Sequence, residues 1–255
     1  MMGKDELEVY LKLVKESSML RWWPLVADLP VPKPKTVLIP VPKDIPLLGE
    51  RGVNMKLVSR IATEVREAVP KVGGLPAFLR TDHLSGKHQF RSTCFLGSLS
   101  DVEIHVVNLI EKSLTVGIFG VPLDAFVVRE YLIPDWEFRA FNGLPIAPEV
   151  RVFVKDGEVL DWLFYWPEDA IQFWRGTQEY EGIDWRGALA RMRAKAERES
   201  GRFLEHARVV ASVLKGDWSV DFMRARDGEW YFIDAARAPI SYGYDKVGGR
   251  LVGRE

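Results

Sequence analysis

The stretch WSVDFMRARDGEWYFIDAA, residues 218–236, constrains the fold of this chain more than any other. Asp227-Gly228 lies between apolar, aromatic and β-branched runs, and both residues tolerate the positive φ that a tight primed turn requires, so the segment is predicted as a β-hairpin. A two-residue loop sets Arg226 against Glu229, Ala225 against Trp230 and Met223 against Phe232. Counting back places Asp221 directly opposite Asp234, on the face that carries Met223, Ala225, Trp230 and Phe232 and is expected to be buried. Like charges directly opposite each other destabilise a sheet. A divalent cation, a protonated carboxyl or a nearby arginine would each compensate the pair.

A second hairpin follows the same rule. In EVRVFVKDGEVLDWLFYW, Asp156-Gly157 is the turn, Lys155 faces Glu158 and Arg151 faces Trp162. Elsewhere Leu7, Tyr10, Leu11 and Val14 recur at helical spacing, giving a first helix that ends before Trp22-Trp23-Pro24. The proline-rich segment LPVPKPKTVLIPVPKDIP reads as extended linker with one short strand, Thr36 to Ile39. Asn54 is placed to cap a helix whose stripe is Leu57, Val58, Ile61 and Val65. PAFLRT is a short strand and the polar loop DHLSGKHQFRS follows. A helix with Ile104, Val107 and Ile110 as its apolar positions leads to AFVVREYL, a continuous apolar run typical of a buried strand. Residues 184–214 are helical, with an interruption near Gly201 and a stop at Gly216. This order of elements is α+β with antiparallel pairing.

Composition excludes several classes. With 255 residues and 47% hydrophobic content the chain can bury a substantial core, and 35 basic against 36 acidic side chains give a net charge of -1 and no global attraction to nucleic acid or membrane. The single Cys94 rules out an internal disulfide. No run approaches the ~18 apolar residues of a membrane span, and the N-terminus lacks the apolar core of a secretion signal, so the cytoplasm is the expected location. There is no P-loop, no HExxH and no G-x-S-x-G elbow. What remains are charges borne on strand ends: Arg80 in FLRTD, Lys87 in LSGKHQF, Arg129 and Glu130 in VVREYL, Glu149 and Arg151 in EVRVFV, and the Asp pair. Such charges among apolar neighbours are costly unless matched, which marks them as candidate site residues.

The order of these motifs over residues 76–240 resembles the ATP-grasp superfamily, and within it a branch often encoded by phages whose phosphate-binding residues are an arginine and lysines. The resemblance implies two lobes with largely antiparallel sheets that hold ATP between them. It divides the chain into a reduced N-terminal region at 1–75, a nucleotide-binding lobe at 76–132 and a second lobe with a metal-binding hairpin at 133–255. PAFLRTDHLSGKHQF is similar to the family's phosphate loop, which makes Arg80 and Lys87 phosphate contacts. AFVVREYL is similar to its adenine-reading strand, with Glu130 as the ribose acid and Arg129 beside it on the other face. The family's phosphate-reaching arginine corresponds to Arg151, which with Lys87 is assigned a catalytic role; Glu149, on the same face, is placed to neutralise it. The metal hairpin corresponds to Asp221 and Asp234 with Mg2+. The chain departs from the family at Ala236, where an asparagine usually completes the metal site; Arg237 is one candidate to act in its place.

The function so implied is that of an ATP-dependent ligase, which activates a carboxylate as an acyl phosphate for attack by an amine or other nucleophile and releases ADP. Two alternatives are a non-catalytic nucleotide-binding or assembly protein, as some ATP-grasp relatives are, and a nucleic-acid ligating or processing protein. The last rests on the phage association, which also places the protein in the host cytoplasm, and on the basic helix RGALARMRAKAERESGR, whose simpler reading is a solvated face laced with Glu197 and Glu199. The tryptophans at 22, 23, 162, 166, 174 and 185 are expected mostly to fill the core.

Overall fold

The computed structural model describes residues 3–50, 52–118, 120–173 and 178–247; Trp174 lies outside them. Along the chain the elements are helices α1 (Lys4–Glu16) and α2 (Met19–Val26), strands β1 (Thr36–Pro40), β2 (Leu48–Gly49) and β3 (Gly52–Val53), and helix α3 (Met55–Ala68). Then come β4 (Ala77–Thr81), α4 (Phe90–Thr93), β5 (Phe95–Leu96), α5 (Val102–Gly117), β6 (Ala125–Glu130), β7 (Phe138–Ala140) and β8 (Leu144–Ile146). The hairpin of β9 (Glu149–Lys155) and β10 (Glu158–Phe164), helices α6 (Glu168–Gln172), α7 (Trp185–Arg198) and α8 (Ser200–Ala211), and the hairpin of β11 (Asp217–Arg224) and β12 (Trp230–Arg237) complete the order. This is the expected α+β class, with every pairing in both larger sheets antiparallel.

The chain divides into two compact units, one of residues 34–132 and 141–144, the other of residues 1–33, 133–140 and 145–255. In the first, a four-stranded sheet ordered β1-β6-β4-β5 is covered on one face by α3 and α5. The Asn54 side chain accepts from the Lys56 N–H and so caps α3, whose Leu57, Val58, Ile61, Ala62 and Val65 are fully withdrawn from water. A buried aliphatic side chain of this kind contributes about 1.5–3 kcal/mol. On α5 the buried positions are Val102, His105, Val106, Leu109 and Ile110, whereas Ile104 is 55% exposed, so the helix is turned by one position from the stripe read in the sequence. His105 sits inside because its Nδ1 meets the Thr93 carbonyl at 2.8 Å.

In the second unit the sheet is ordered β10-β9-β11-β12, with α8 packed on one face. The Trp22-Trp23-Pro24 segment is itself helical, within α2, and the buried Trp22 ring meets Phe232 edge-on at 5.5 Å. Trp166 and Trp185 are buried as expected. The basic segment forms two helices that break at Glu199, two residues before the expected Gly201.

Both hairpins carry a bulge that the turn signal does not reveal. Near its turn, β11 pairs with β12 as Arg224–Trp230, Met223–Tyr231 and Phe222–Phe232, one residue away from the expected register, because the loop is longer than two residues: the Ala225 N–H donates to the Glu229 carbonyl. A shift at Ile233 restores the count, and Asp221 does stand directly opposite Asp234. The consequence is a change of face. Phe222, Trp230 and Phe232 point to α8, while Met223, Asp221 and Asp234 occupy the other side, so the acids do not share the face of Trp230 and Phe232. In the other hairpin Lys155 faces Glu158 as expected, but a shift between Val159 and Asp161 places Leu163 rather than Trp162 opposite Arg151.

Candidate functional site

The unit built on β9–β12 carries a row of side chains across its sheet. Register places Leu163, Arg151, Asp221 and Asp234 side by side on four successive strands, all on the face away from α8. Arg151 grips Asp221 with two parallel bonds, Nε to Oδ1 and a terminal nitrogen to Oδ2, both 2.8 Å. This bidentate geometry is the strong form of a charge-assisted pair. The Arg151 and Asp221 side chains are only 13% and 7% exposed. Burial alone would lower the Arg151 pKa; the Asp221 carboxylate more than offsets this and the net shift is upward, so the guanidinium is charged at every working pH. Arg151 also donates to the Tyr242 carbonyl at 3.4 Å and lies over the Tyr165 ring at 5.1 Å. Of the three compensations open for the Asp pair, a nearby arginine is present, and it comes from β9. The carboxylate it holds is Asp221; Glu149, buried two residues away on the same face, sits opposite Met223.

Asp234 is half-buried, and its Oδ1 accepts the Ala235 N–H at 3.0 Å. Two directly opposed carboxylates fit a magnesium ion, which takes one or two protein carboxylates and completes its octahedron with phosphate oxygens and water. Each carboxylate oxygen keeps a second lone pair, so the grip of Arg151 leaves Asp221 able to ligate. Ala236 adds no donor. Arg237 donates to the Lys215 carbonyl at 2.8 Å, pairs with Glu16 at 3.3 Å and lies over the Trp218 ring. An open cleft of about 410 Å³ adjoins the row at Leu163, with Trp162, Phe164, Tyr242, Arg193 and Glu197 among its walls.

In the other unit, alternation on β4 and β6 puts Arg80 and Arg129 on the face opposite α3 and α5, where both are buried. Arg80 Nε donates to the Thr81 carbonyl and Arg129 Nε to the Thr36 hydroxyl, each at 3.0 Å. Glu130 points to the opposite face and its Oε2 accepts the Lys35 N–H at 3.2 Å. Lys87 opens a 3-10 turn directly after Gly86, whose φ is +69°. Thr93 fastens this loop by donating to the Gly86 carbonyl at 2.7 Å, and a Cβ on Gly86 would stand 3.0 Å from the same hydroxyl, so glycine is required on both counts. Lys112 of α5, unremarkable in the sequence, contributes positive charge here: it acts with Lys87 on His88, and burial lowers its own pKa.

The His88 residue as a whole is exposed, but its ring stacks on Phe141 with centroids 4.7 Å apart. Burial there, with the charges of Lys87 and Lys112, holds its pKa down to about 4. A histidine depressed in the fold binds fewer protons than in the unfolded chain, so its contribution is complete above the unfolded value of about 6.5 and is lost as pH falls from there to about 4. Urea midpoints measured across that window are expected to fall on acidification, and His88→Gln to flatten the fall.

Several cations of the basic helices pair with acids elsewhere in the same unit. Lys195 and Arg224 both bind Asp135, at 2.8 and 2.5 Å, Arg224 also binds Glu199, Arg191 binds Glu137 at 2.7 Å, and Arg202 pairs with Glu229. Among the described residues no helix is long and apolar enough to cross a membrane.

Fold and site together define an α+β chain with two four-stranded antiparallel sheets and a charged row on one of them. No family model matches the chain, and no curated protein matches it. Among solved structures it is similar to Cdc123 from Schizosaccharomyces pombe, at 14% identity over 93% of this chain and 92% of that one with a TM-score of 0.56. It is also similar to a C-terminally truncated form of the same protein, at 14% identity over 96% and 94% with a TM-score of 0.55. An ATP-grasp RimK domain protein from Sphaerobacter thermophilus matches at 11% identity over 96% of this chain and 67% of that one, with a TM-score of 0.44.

Proposed function

We propose that the chain is an ATP-dependent ligase of ATP-grasp type, which transfers the γ-phosphoryl group of ATP to a carboxylate with release of ADP and lets an amine or other nucleophile displace phosphate from the acyl phosphate. The observation that carries this reading is the row Arg151–Asp221–Asp234, a guanidinium and two carboxylates held in register on one sheet face beside an open cleft. Asp221 and Asp234 are the magnesium ligands, and magnesium, when bound, neutralises phosphate charge. Arg151 is the catalytic cation: with a phosphoryl group at hand, a guanidinium already oriented by Asp221 stabilises the charge that develops on the transferring oxygens. Arg80 and Lys87 hold ATP phosphates, Lys87 following the transferred group; Arg129 and Glu130 serve the nucleoside. The cleft, with Trp162, Phe164 and Tyr242 beside Arg193, suits an organic carboxylate with an apolar body.

Calorimetric titration of ATP, with and without magnesium, into the wild type and Asp234→Asn tests the reading. Micromolar binding that requires magnesium and is lost in the variant is expected, followed by ADP release with a carboxylate and an amine present. Absence of ATP binding in every condition would overturn it. One observation favours a second reading: Ala236 supplies no ligand and Arg151 already neutralises Asp221, as suits a protein that binds nucleotide without turnover. Magnesium-dependent binding with no ADP release for any carboxylate and amine mixture would support that reading.

A further inference from the structure

A second group of potential ligands lies in the other unit, at the start of the DHLSGKHQF loop. Asp82 is buried, with its side chain 0% exposed, and His83 is 5% exposed at the side chain; Asp124, just before β6, is exposed. One ligand atom from each of the three lies within 4.8 Å of the others. The pair is set by backbone rather than by chance. Asp82 Oδ1 accepts the N–H groups of Asp124 and Ala125 at 3.3 and 3.2 Å, and the Asp82 N–H donates to the Ala125 carbonyl at 3.0 Å. These bonds splice the loop onto the start of β6, bring residues 42 apart in sequence together, and fix the Asp82 carboxylate with Oδ2 turned to His83.

We propose that Asp82, His83 and Asp124 bind a first-row transition dication of the zinc type. The Asp82 Oδ2 to His83 Nε2 separation is 3.3 Å. Two ligands on one tetrahedral zinc, each about 2.0–2.2 Å from it, stand roughly 3.4 Å apart, so the buried pair already has the spacing that a shared ion requires. Asp124 closes from the solvent side, and three protein ligands leave a fourth position open, the arrangement of sites that admit water or substrate. One imidazole with two carboxylates suits zinc, cobalt, nickel or manganese; magnesium prefers all-oxygen octahedra. A dication also answers an electrostatic question, since two carboxylates close together, one of them buried, repel each other, and a metal neutralises both. The amide bonds to Asp82 play the part that outer hydrogen bonds play around metal ligands, fixing the carboxylate's orientation before the ion arrives. The proposal is independent of the ATP reading, because none of its ligands belongs to the row on β9–β12.

Zinc is titrated into the metal-free full chain against a chromophoric chelator, with wild type, His83→Ala, Asp124→Asn and Asp234→Asn compared, and cobalt is used for its visible absorption. The expected result is one equivalent of tightly held zinc in the wild type and in Asp234→Asn, with affinity reduced at least about tenfold in the His83 and Asp124 variants. Cobalt should give the absorption of a low-coordinate site that His83→Ala abolishes. Asp124 is exposed, so its variant decides the matter even if His83→Ala does not fold. No stoichiometric zinc in the wild type, unchanged affinity in Asp124→Asn, or loss of zinc in Asp234→Asn instead would each overturn the site; a plain Asp82–His83 hydrogen-bonded pair then accounts for the geometry.

Discussion

Asp221→Ala is expected to destabilise the folded chain by about 3–5 kcal/mol, the scale for removing one partner of a buried ion pair. The reason lies in what remains. Arg151 stays charged, 13% exposed, on a sheet face where its two short bonds have gone and water reaches it poorly. Asp234→Asn keeps the pair intact and should be close to neutral for stability in the absence of nucleotide, even though it removes ATP binding in the proposed function. Urea unfolding of the two variants separates these effects, and adding Arg151→Met to Asp221→Ala should recover much of the loss, since no buried charge is then left alone. Equal stability of Asp221→Ala and wild type would mean that Arg151 is held chiefly by Tyr165 and the Tyr242 carbonyl.

Trp230→Ala is expected to cost about 3–5 kcal/mol, for a different reason. The ring is fully buried and meets Phe203 of α8 edge-on with centroids 4.9 Å apart, so truncation opens a cavity between helix and sheet. Its Nε1 also donates to Glu199 at 2.9 Å, and Glu199 holds Arg224 at 2.8 Å. Trp230→Phe keeps most of the apolar volume and loses this bond, which predicts a smaller loss of about 1 kcal/mol. If thermal unfolding shows the two variants to be equally unstable, the hydrogen bond rather than the ring dominates at this site.

The two hairpins were legible because Asp-Gly between apolar runs is a local signal: Asp156 and Gly157 take φ of +47° and +98°. The bulges at Ile233 and Leu160 were not, because a turn signal fixes only the pairs next to the loop and an extra residue further along the strand leaves no mark in it. Asp221 stands opposite Asp234 as expected, but only because the longer loop and the bulge at Ile233 offset each other. Arg151 as the partner of Asp221 depends on β9 pairing with β11, two strands between which β10 and the helices α6, α7 and α8 intervene, and nothing local encodes it. Glu130 and Arg129 show what alternation alone can decide, since adjacent strand residues must face opposite sides. Lys112 went unnoticed because a lysine on a helix reads as solvated until the fold shows which charges it approaches.

The bulge at Ile233 makes β12 two half-strands joined by a phase slip. Toward the turn the alternation serves an oily interface; beyond Ile233 the parity is inverted and serves a charged surface. One continuous ladder thereby satisfies two incompatible patterns. The coupling also makes the hairpin loop a hidden control on chemistry: tightening it, at unchanged length, to a two-residue turn at Asp227-Gly228 would set Arg226 against Glu229, erase the slip and leave Asp221 facing Asp234. That change would rotate Trp230 and Phe232 away from α8. The choice of turn within this loop is therefore confined by the core behind the sheet, and not by the acids in front of it.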